Sequence, residues 1–218
     1  MQIYFVRHGK TEWNLQKRFQ GAHGDSPLLT QSLIDIGKLA GYLRGTNFAG
    51  IYTSPLKRAK TTAENFAEIS GYKAQINVDE RLREFDLGAM EGLTFSEAES
   101  KYPQQVDDIW NQPAKYDGHS IGGENYPEVI ARGLSFGQEV AHKYQNDDKV
   151  LAVSHGAALG AIMGGLLGYP LADIRKNGGL SNTSLTILET KDKRQTFKVL
   201  TWNKTDFLDR KMVDSDSL

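Results

Sequence analysis

Two histidine–glycine pairs are the groups in this sequence best suited to act together in chemistry. An apolar run at residues 3–6 leads into Arg7 and His8, and a second run at 150–153 leads through a serine into His155. Runs of this kind, rich in β-branched and aromatic residues, are typical of buried strands. Ligands bind at the carboxyl ends of strands in open α/β sheets. The pattern therefore predicts that a parallel sheet brings the two imidazoles face to face.

A cationic group for an anionic ligand is predicted at the start of a helix. Ser54 and Pro55 resemble a helix N-cap followed by proline at the first helical position, with the helix running to about residue 70. Arg58 then falls in the first turn, where the helix N-terminus favours anions. Its forked guanidinium is suited to phosphate oxygens. The sequence thus indicates a phosphate-binding position at Arg58 or, since Lys57 and Lys60 flank it, a solvated helix face.

Helices and strands alternate along the chain, which favours an α/β sandwich with a largely parallel sheet. Helices are predicted at 11–17, 30–43, 54–70, 96–110 with an interruption at Pro103, 126–144 and after His155. Strands are predicted at 3–6, 50–53, 75–78, 149–153, 180–188 and 196–202. A polar turn at 191–193 should join the last two strands, and the polar tail from residue 209 should be frayed.

Composition narrows the class of protein. Of 218 residues, 39% are hydrophobic and 24% charged, which is typical of a folded globular domain. The formal charge of −1 argues against a general nucleic-acid binder. No cysteine is present, so neither a disulfide nor a thiolate nucleophile can form. We find no targeting segment or membrane span in the sequence, and we expect a cytoplasmic protein with no membrane partner.

One family accounts for the order of these motifs. Arg7-His8-Gly9, followed by Thr11, Trp13 and Asn14, resembles the signature of the histidine phosphatase superfamily, whose fold is phosphoglycerate-mutase-like. Further matching blocks follow in the family's order at 18–21, 25–28, 53–59, 82–84 and 154–156. The resemblance implies a three-layer α/β/α sandwich with a mostly parallel mixed sheet. It also implies a single domain over 1–218, with a substrate-cap insertion of helices and loops around 93–125.

The resemblance also implies the roles of individual residues. His8 is the expected nucleophile, and Glu84 the expected carrier of the proton, with Asp86 and Glu91 as nearby rivals. The other expected catalytic groups are donors to the phosphate: Arg7, Arg58 and His155. The expected substrate-binding residues are Asn14, Gln20, Gly21 and Glu124. As alternatives, Asn14 and Gln20 only cap loops, Glu84 only forms a surface salt bridge, and Asn125 beside Glu124 only caps the following helix.

The resemblance leads to one main hypothesis and two alternatives. The main one is a metal-independent phosphomonoesterase that hydrolyses a small phosphorylated metabolite through a phosphohistidine. It needs no cofactor, and no histidine or acidic cluster shows metal-ligand spacing. Its expected partner is a small-molecule phosphate ester rather than nucleic acid. The sequence leaves open whether the chain forms a homodimer. The first alternative is a cofactor-dependent phosphoglycerate mutase, although residues 85–92 resemble phosphatases better. The second is a non-catalytic phosphate-binding module.

One position departs from the family's pattern. Lys10 stands where relatives often have an acid or an amide. The substitution either makes the entrance to the site more basic or changes only its surface.

Overall fold

The computed structural model describes residues 1–191 and 196–217, so residues 192–193 of the expected polar turn lie outside them. Within these residues, helices and strands alternate as the sequence predicts. The strands are β1 (Gln2–Arg7), β2 (Gly50–Thr53), β3 (Asn77–Val78), β4 (Lys149–Ser154), β5 (Leu185–Glu189) and β6 (Lys198–Lys204). The helices are α1 (Glu12–Leu15), α2 (Thr30–Tyr42), α3 (Lys57–Ser70), α4 (Phe95–Lys101), α5 (Pro103–Asn111), α6 (Tyr126–Lys143) and α7 (Gly156–Leu166).

The strands form one mixed sheet in the order β3-β2-β4-β1-β5-β6. The pairs β1–β4, β4–β2 and β2–β3 are parallel, whereas β5 and β6 add antiparallel neighbours at one side. In the register of β1 and β4, Arg7 lies opposite Ser154. The next residue of each strand, His8 and His155, therefore leaves the sheet at the same edge. The expected α/β class with a mostly parallel mixed sheet is confirmed.

Alternation along β1 explains the three layers. Ile3 and Phe5 belong to the apolar core that includes α6 and α7, whereas Tyr4 and Val6 belong to the core that includes α2 and α3. Strands covered on both faces need continuous apolar runs, which is the pattern that the sequence shows there. None of the helices described is long and apolar enough to cross a membrane.

Two expected element boundaries are wrong. Helix α3 begins at Lys57 with Leu56 as its N-cap, so Ser54 and Pro55 do not start it. The backbone N–H of Ser54 instead donates to Val153, which keeps the chain extended beyond β2. The strand expected from residue 180 begins only at Leu185, because the preceding residues form a turn.

The expectation of a frayed tail is also wrong. The segment after Asp209 folds back onto the domain, where Arg210 forms an ion pair of 2.8 Å with the buried Asp35 of α2. Ser217 forms an isolated bridge with Ser181, and residues Asp214–Asp216 form a short 3-10 turn. Composition predicted fraying because the tail is polar. These contacts show that the tail is docked against the domain rather than frayed.

Candidate active site

A cavity of about 40 Å³ lies where the carboxyl ends of β1 and β4 meet the loops that follow them. One water needs about 10–15 Å³ of such space, so roughly three water-sized groups fit, which is the scale of a phosphate ion. Seven of the residues expected in the site line this cavity: Arg7, His8, Asn14, Gln20, Gly21, Arg58 and Glu84. The structure thus brings together residues from five separate stretches of the chain.

The His8 ring is held in a single tautomer. Its Nδ1 lies 2.7 Å from the carbonyl oxygen of Gly9, which can only accept a hydrogen bond, so Nδ1 carries the proton. Nε2 then keeps its lone pair. Burial, together with the nearby charges of Arg58 and Arg7, holds the His8 pKa well below its usual value. His8 is therefore neutral at physiological pH, as a nucleophilic imidazole must be.

His155 lies beside His8 but is not among the cavity-lining residues. The ring centroids are 5.1 Å apart, and Nε2 of His155 lies 2.7 Å from the Ser54 hydroxyl. Burial and the charge of Arg58 lower the His155 pKa well below its usual value. Ser54 is a contributor that sequence reasoning missed. The only available signal was its position inside the block at 53–59.

Arg7 and Arg58 are held in place by hydrogen bonds to backbone carbonyl groups. Nη1 of Arg7 donates to Leu180 at 2.5 Å, and Nη2 of Arg58 donates to Gly21 at 2.8 Å. Arg58 also pairs with Asp25 at 3.3 Å. Burial lowers the Arg7 pKa to about 10, and it lowers the Arg58 pKa as well. With a pKa near 10, the Arg7 guanidinium remains charged at neutral pH.

Three buried donors of the cavity wall have no hydrogen-bond partner within the described ranges. They are Nε of Arg7, Nε of Arg58 and Nδ2 of Asn14. Buried N–H groups are almost always paired in folded proteins. Such donors on cavity-lining side chains are suited to the oxygens of a bound anion. The site therefore combines a neutral imidazole with two cationic groups and unpaired N–H donors.

Glu84 lies at the N-terminus of α7. Its Oε1 accepts hydrogen bonds from the backbone N–H groups of Ala158 at 2.7 Å and Phe85 at 3.0 Å, and its Oε2 accepts one from Ala157 at 3.3 Å. A helix N-terminus is a favourable place for a carboxylate. Neither rival acid, Asp86 nor Glu91, lines the cavity. Of the three candidates, only Glu84 shares the cavity with His8.

The loop at residues 20–24 is held against the cavity by Glu91. The Glu91 carboxylate accepts hydrogen bonds from the backbone N–H groups of three residues in this loop and from that of Leu87. Gly21 has a φ of +61°, and a Cβ there would lie 2.0 Å from Glu91 Oε1, so only glycine fits. Gln20 donates to Thr11 at 2.9 Å. Glu91 therefore supports the site without lining it.

Glu124 lies outside the cavity lining. Its carboxylate pairs with Arg83 at 2.6 Å and with Arg132 at 3.2 Å, and it accepts a hydrogen bond from the backbone N–H of Asp86. These contacts join the loop after Glu84 to the start of α6. A substrate-binding role for Glu124 stays a prediction.

One side of the cavity is apolar. Phe19 and Trp110 stack with centroids 5.9 Å apart, and Leu87 and Ile109 line the same wall. Ile109 and Trp110 belong to α5, inside the stretch 93–125 where the sequence predicted a substrate cap. The individual residues of this wall were not singled out from the sequence, because a helix-spaced aromatic has the same pattern as a core residue.

Three side chains with metal-ligating atoms meet near the cavity, although sequence spacing did not predict them. Ligand atoms of His23, Asp86 and Glu91 lie within 4.8 Å of one another. Both Glu91 oxygens already accept backbone hydrogen bonds, and His23 pairs with Asp86 at 3.1 Å. The cluster is explained as a contact between two loops.

Comparisons with known proteins agree with this geometry. The family model for the histidine phosphatase superfamily (branch 1) matches residues 3–205. The chain belongs to that superfamily. A probable phosphoglycerate mutase, GpmB of Salmonella paratyphi A, is 34% identical over 176 residues, which cover 78% of this chain and 76% of the relative.

Solved structures show the same fold. YhfR of Bacillus stearothermophilus superposes with a TM-score of 0.86 at 33% identity, covering 95% of this chain and 98% of that one. A mycobacterial glucosyl-3-phosphoglycerate phosphatase superposes with a TM-score of 0.82 at 29% identity, covering 93% and 98%. The expected family and fold are confirmed, and the superfamily and its phosphatase neighbour support the expected phosphoric monoester hydrolase.

Proposed function

We propose that this chain hydrolyses a small phosphate monoester through a phosphohistidine at His8, without a metal ion. One observation carries the proposal. The His8 Nδ1 proton is bound to the Gly9 carbonyl, so the Nε2 lone pair is free beside the buried, unpaired Nε groups of Arg7 and Arg58. A neutral nucleophile between two fixed cations suits attack on a phosphate dianion.

In the first step, Nε2 of His8 attacks phosphorus and forms a P–N bond while the bond to the ester oxygen breaks. The negative charge of the phosphoryl group in transfer is spread over its equatorial oxygens. Arg7, Arg58 and Asn14 are placed to donate hydrogen bonds to these oxygens. The leaving alkoxide takes a proton from the Glu84 carboxylic acid. The more weakly bonded Oε2, at 3.3 Å from the Ala157 nitrogen, is the oxygen best suited to carry that proton.

In the second step, water attacks the phosphohistidine and the P–N bond breaks. Glu84, now a carboxylate, takes the proton from that water, so one residue serves as acid and then as base. Inorganic phosphate leaves and His8 returns to its neutral form. We assign His155 a supporting role. In this proposal the Ser54 hydroxyl, 2.7 Å away, donates to Nε2 of His155, and the unpaired Nδ1 carries a proton for a phosphate oxygen.

Residues 93–125 act as the substrate cap in this proposal. Ile109 and Trp110 of α5 close one side of the cavity against Phe19. A cavity of about 40 Å³ holds the phosphoryl group and little more, so the alcohol part contacts this apolar wall. A small ester fits such an enclosure better than a phosphorylated macromolecule.

Trapping the intermediate tests the proposal. Enzyme mixed with a ³²P-labelled phosphate ester in EDTA, and quenched without acid, should carry label on the peptide that contains His8. The label should be acid-labile and base-stable. Label on a serine or aspartate, or turnover by His8→Ala near that of wild type, contradicts the mechanism. Phosphate binding with no turnover of any ester favours a non-catalytic binding module.

Phosphoglycerate mutase is a second candidate, favoured by the 34% identity to a protein named as a probable mutase. Both activities use the same phosphohistidine chemistry, so the residues around His8 do not separate them. They differ in what accepts the phosphoryl group, either water or a second hydroxyl.

A further inference from the structure

The carboxyl-terminal turn lies against the loop that follows His8, although the turn is outside the residues 3–205 that the family model matches. This turn, residues Asp214–Asp216, carries one fully buried acid. Only 1% of Asp216 is exposed, whereas Asp214, two positions earlier in the same turn, is exposed. A buried carboxylate is stable only when it is paired and hydrogen-bonded, so its partners show what the turn is held against.

The Asp216 carboxylate binds the loop that follows His8. Its Oδ1 lies 3.0 Å from Nζ of Lys10, and its Oδ2 lies 2.9 Å from Nη1 of Arg210. Nζ of Lys10 also donates to the Ser215 hydroxyl at 2.7 Å. Burial opposes ionisation of the carboxyl, but the hydrogen bonds from Arg210, Val213 and Lys10 outweigh burial and lower the Asp216 pKa to about 2. The Asp216 carboxylate is therefore ionised throughout the physiological range.

The backbone carbonyl of Asp216 also forms hydrogen bonds with residues at the phosphate site. The Asp216 oxygen accepts a hydrogen bond from Nη1 of Arg7 at 3.2 Å and another from the backbone N–H of Asn182 at 2.7 Å. The Asn182 side chain in turn donates to the carbonyl oxygen of His8 at 3.1 Å. Asp216 therefore contacts Arg7 directly and the His8 backbone through Asn182.

The backbone beside this contact is strained. Thr183 has a φ of +58°, a left-handed conformation that is costly for a β-branched residue. Its N–H donates to the Arg7 and His8 carbonyl oxygens, so the strained turn is bonded to both residues. A strained turn persists only when its surroundings hold it in place. The Asp216 carbonyl is one of the groups that hold it.

We propose that Asp216 is a positioning residue of the phosphate site, holding Arg7 and the His8 backbone in place through its carbonyl. Lys10 and Arg210 anchor the carboxylate and so fix that carbonyl. Lys10, the position that departs from the family's pattern, is thereby the partner of a turn that the family model does not include. The proposal rests on the proposed phosphatase activity but makes a separate claim about anion binding.

Isosteric variants of the full-length chain test it. Asp216→Asn keeps the shape of the side chain and removes its charge, and Asp214→Asn makes the same change at an exposed position of the same turn. Displacement of Arg7 by a fraction of an ångström should lower kcat/KM roughly 10- to 100-fold in Asp216→Asn. Asp214→Asn should match wild type. The inhibition constant of orthovanadate should rise in Asp216→Asn by a similar factor, because the same guanidinium binds its oxygens.

Measurements of folding and of the energetic coupling between Lys10 and Asp216 distinguish a positioning role from a merely structural one. Circular dichroism should show Asp216→Asn fully folded at the assay temperature, and a Lys10→Met, Asp216→Asn double variant should lose less than the product of the single losses. Unchanged kcat/KM and vanadate inhibition, or a loss equal to the unfolded fraction, overturns the proposal. If wild type hydrolyses no ester, calorimetric binding of inorganic phosphate replaces the kinetic readout. Equal affinity in the Asp216 and Asp214 variants then refutes the positioning role on its own.

Discussion

The rings of His8 and His155 lie with centroids 5.1 Å apart and planes inclined by 58°. Both are buried, and each follows the last residue of one of two adjacent parallel strands whose ends are in register. Two imidazolium ions at this distance, beside Arg7 and Arg58, would repel one another and the arginines. The arrangement is therefore stable only while both histidines are neutral, and burial lowers both pKa values accordingly.

This pairing predicts a loss of stability in acid. A histidine whose folded-state pKa is depressed stabilises the fold above the unfolded-state pKa of about 6.5, and that stability is lost as pH falls toward the folded-state pKa. Between pH 7.5 and 5.5, protonation of His8 in the unfolded chain should lower the free energy of unfolding by about 1 kcal/mol. Urea unfolding of wild type and His8→Asn at both pH values measures the difference, and His8→Asn should lose less stability on acidification.

His23 provides a control of opposite sign. The hydrogen bond to Asp86 raises the His23 pKa, so this exposed residue contributes stability at acid pH that is lost as pH rises through its folded-state pKa. Removing it in His23→Gln should therefore deepen the loss of stability on acidification. If His8→Asn loses as much stability as wild type over this range, the His8 ring does not control the acid response.

Local sequence patterns were enough to predict the strands and the meeting of the two histidines. The apolar runs before His8 and His155 determine where each strand ends, and parallel pairing in register brings the ends together. The cavity-lining positions of Asn14 and Gln20 were expected only from the family resemblance. Patterns within a few residues cannot specify a side chain's long-range contacts.

The features that sequence reasoning missed depend on such long-range contacts. The Ser54 hydroxyl reaches His155 across 101 positions, and Lys10 reaches Asp216 across 206. No propensity or periodicity in the polar tail distinguishes a docked turn from a frayed end. Whether the tail docks or frays is determined by the pairing of its charged side chains with distant residues. For the same reason, the local sequence at Ser54 predicts a helix cap, whereas its hydroxyl contacts His155.

Chelation should leave the activity intact. The arginines supply the positive charge that a metal would provide, and the carboxylate of Glu91, the acid within reach of His23 and Asp86, accepts four backbone hydrogen bonds. We expect turnover of p-nitrophenyl phosphate to change less than twofold in excess EDTA, and His23→Gln to behave like wild type. Loss of activity that a divalent ion restores, and that His23→Gln abolishes, would instead identify a metal site in this cluster.

Hydrolysis, rather than transfer between hydroxyls, is expected with phosphoglycerates. A mutase must hold a bisphosphate intermediate by a second acidic group, and residues 85–92 carry no lysine, arginine or histidine for it. Besides Arg7 and Arg58, the cavity-lining cation is Arg18, which already lies 3.9 Å from Glu97. Incubation with 3-phosphoglycerate and 2,3-bisphosphoglycerate should release inorganic phosphate. Rapid formation of 2-phosphoglycerate with little free phosphate would establish the mutase.

The role of Glu84 should depend on the leaving group. With an alkyl phosphate the departing alkoxide is strongly basic, so Glu84→Gln should slow phosphorylation of His8 roughly a hundredfold or more. With p-nitrophenyl phosphate the leaving group is a weak base and needs little protonation. The first step should then be largely spared, while water attack on the phosphohistidine still lacks its base. The variant should show a burst of nitrophenol followed by accumulation of phosphoenzyme.

Asp86→Asn is the matched control, because Asp86 lies two positions away and is absent from the cavity lining. It should show no burst and should treat both substrates like wild type. The glutamine of Glu84→Gln keeps one oxygen to accept from the Ala158 N–H, which limits structural loss, and circular dichroism checks this. Suppose that Glu84→Gln handles both esters like wild type, while Asp86→Asn is slow with the alkyl phosphate and shows a burst with p-nitrophenyl phosphate. The proton carrier then lies further along the loop. That outcome moves the acid and leaves His8 as the nucleophile when the accumulated phosphoryl label maps to the peptide that contains His8.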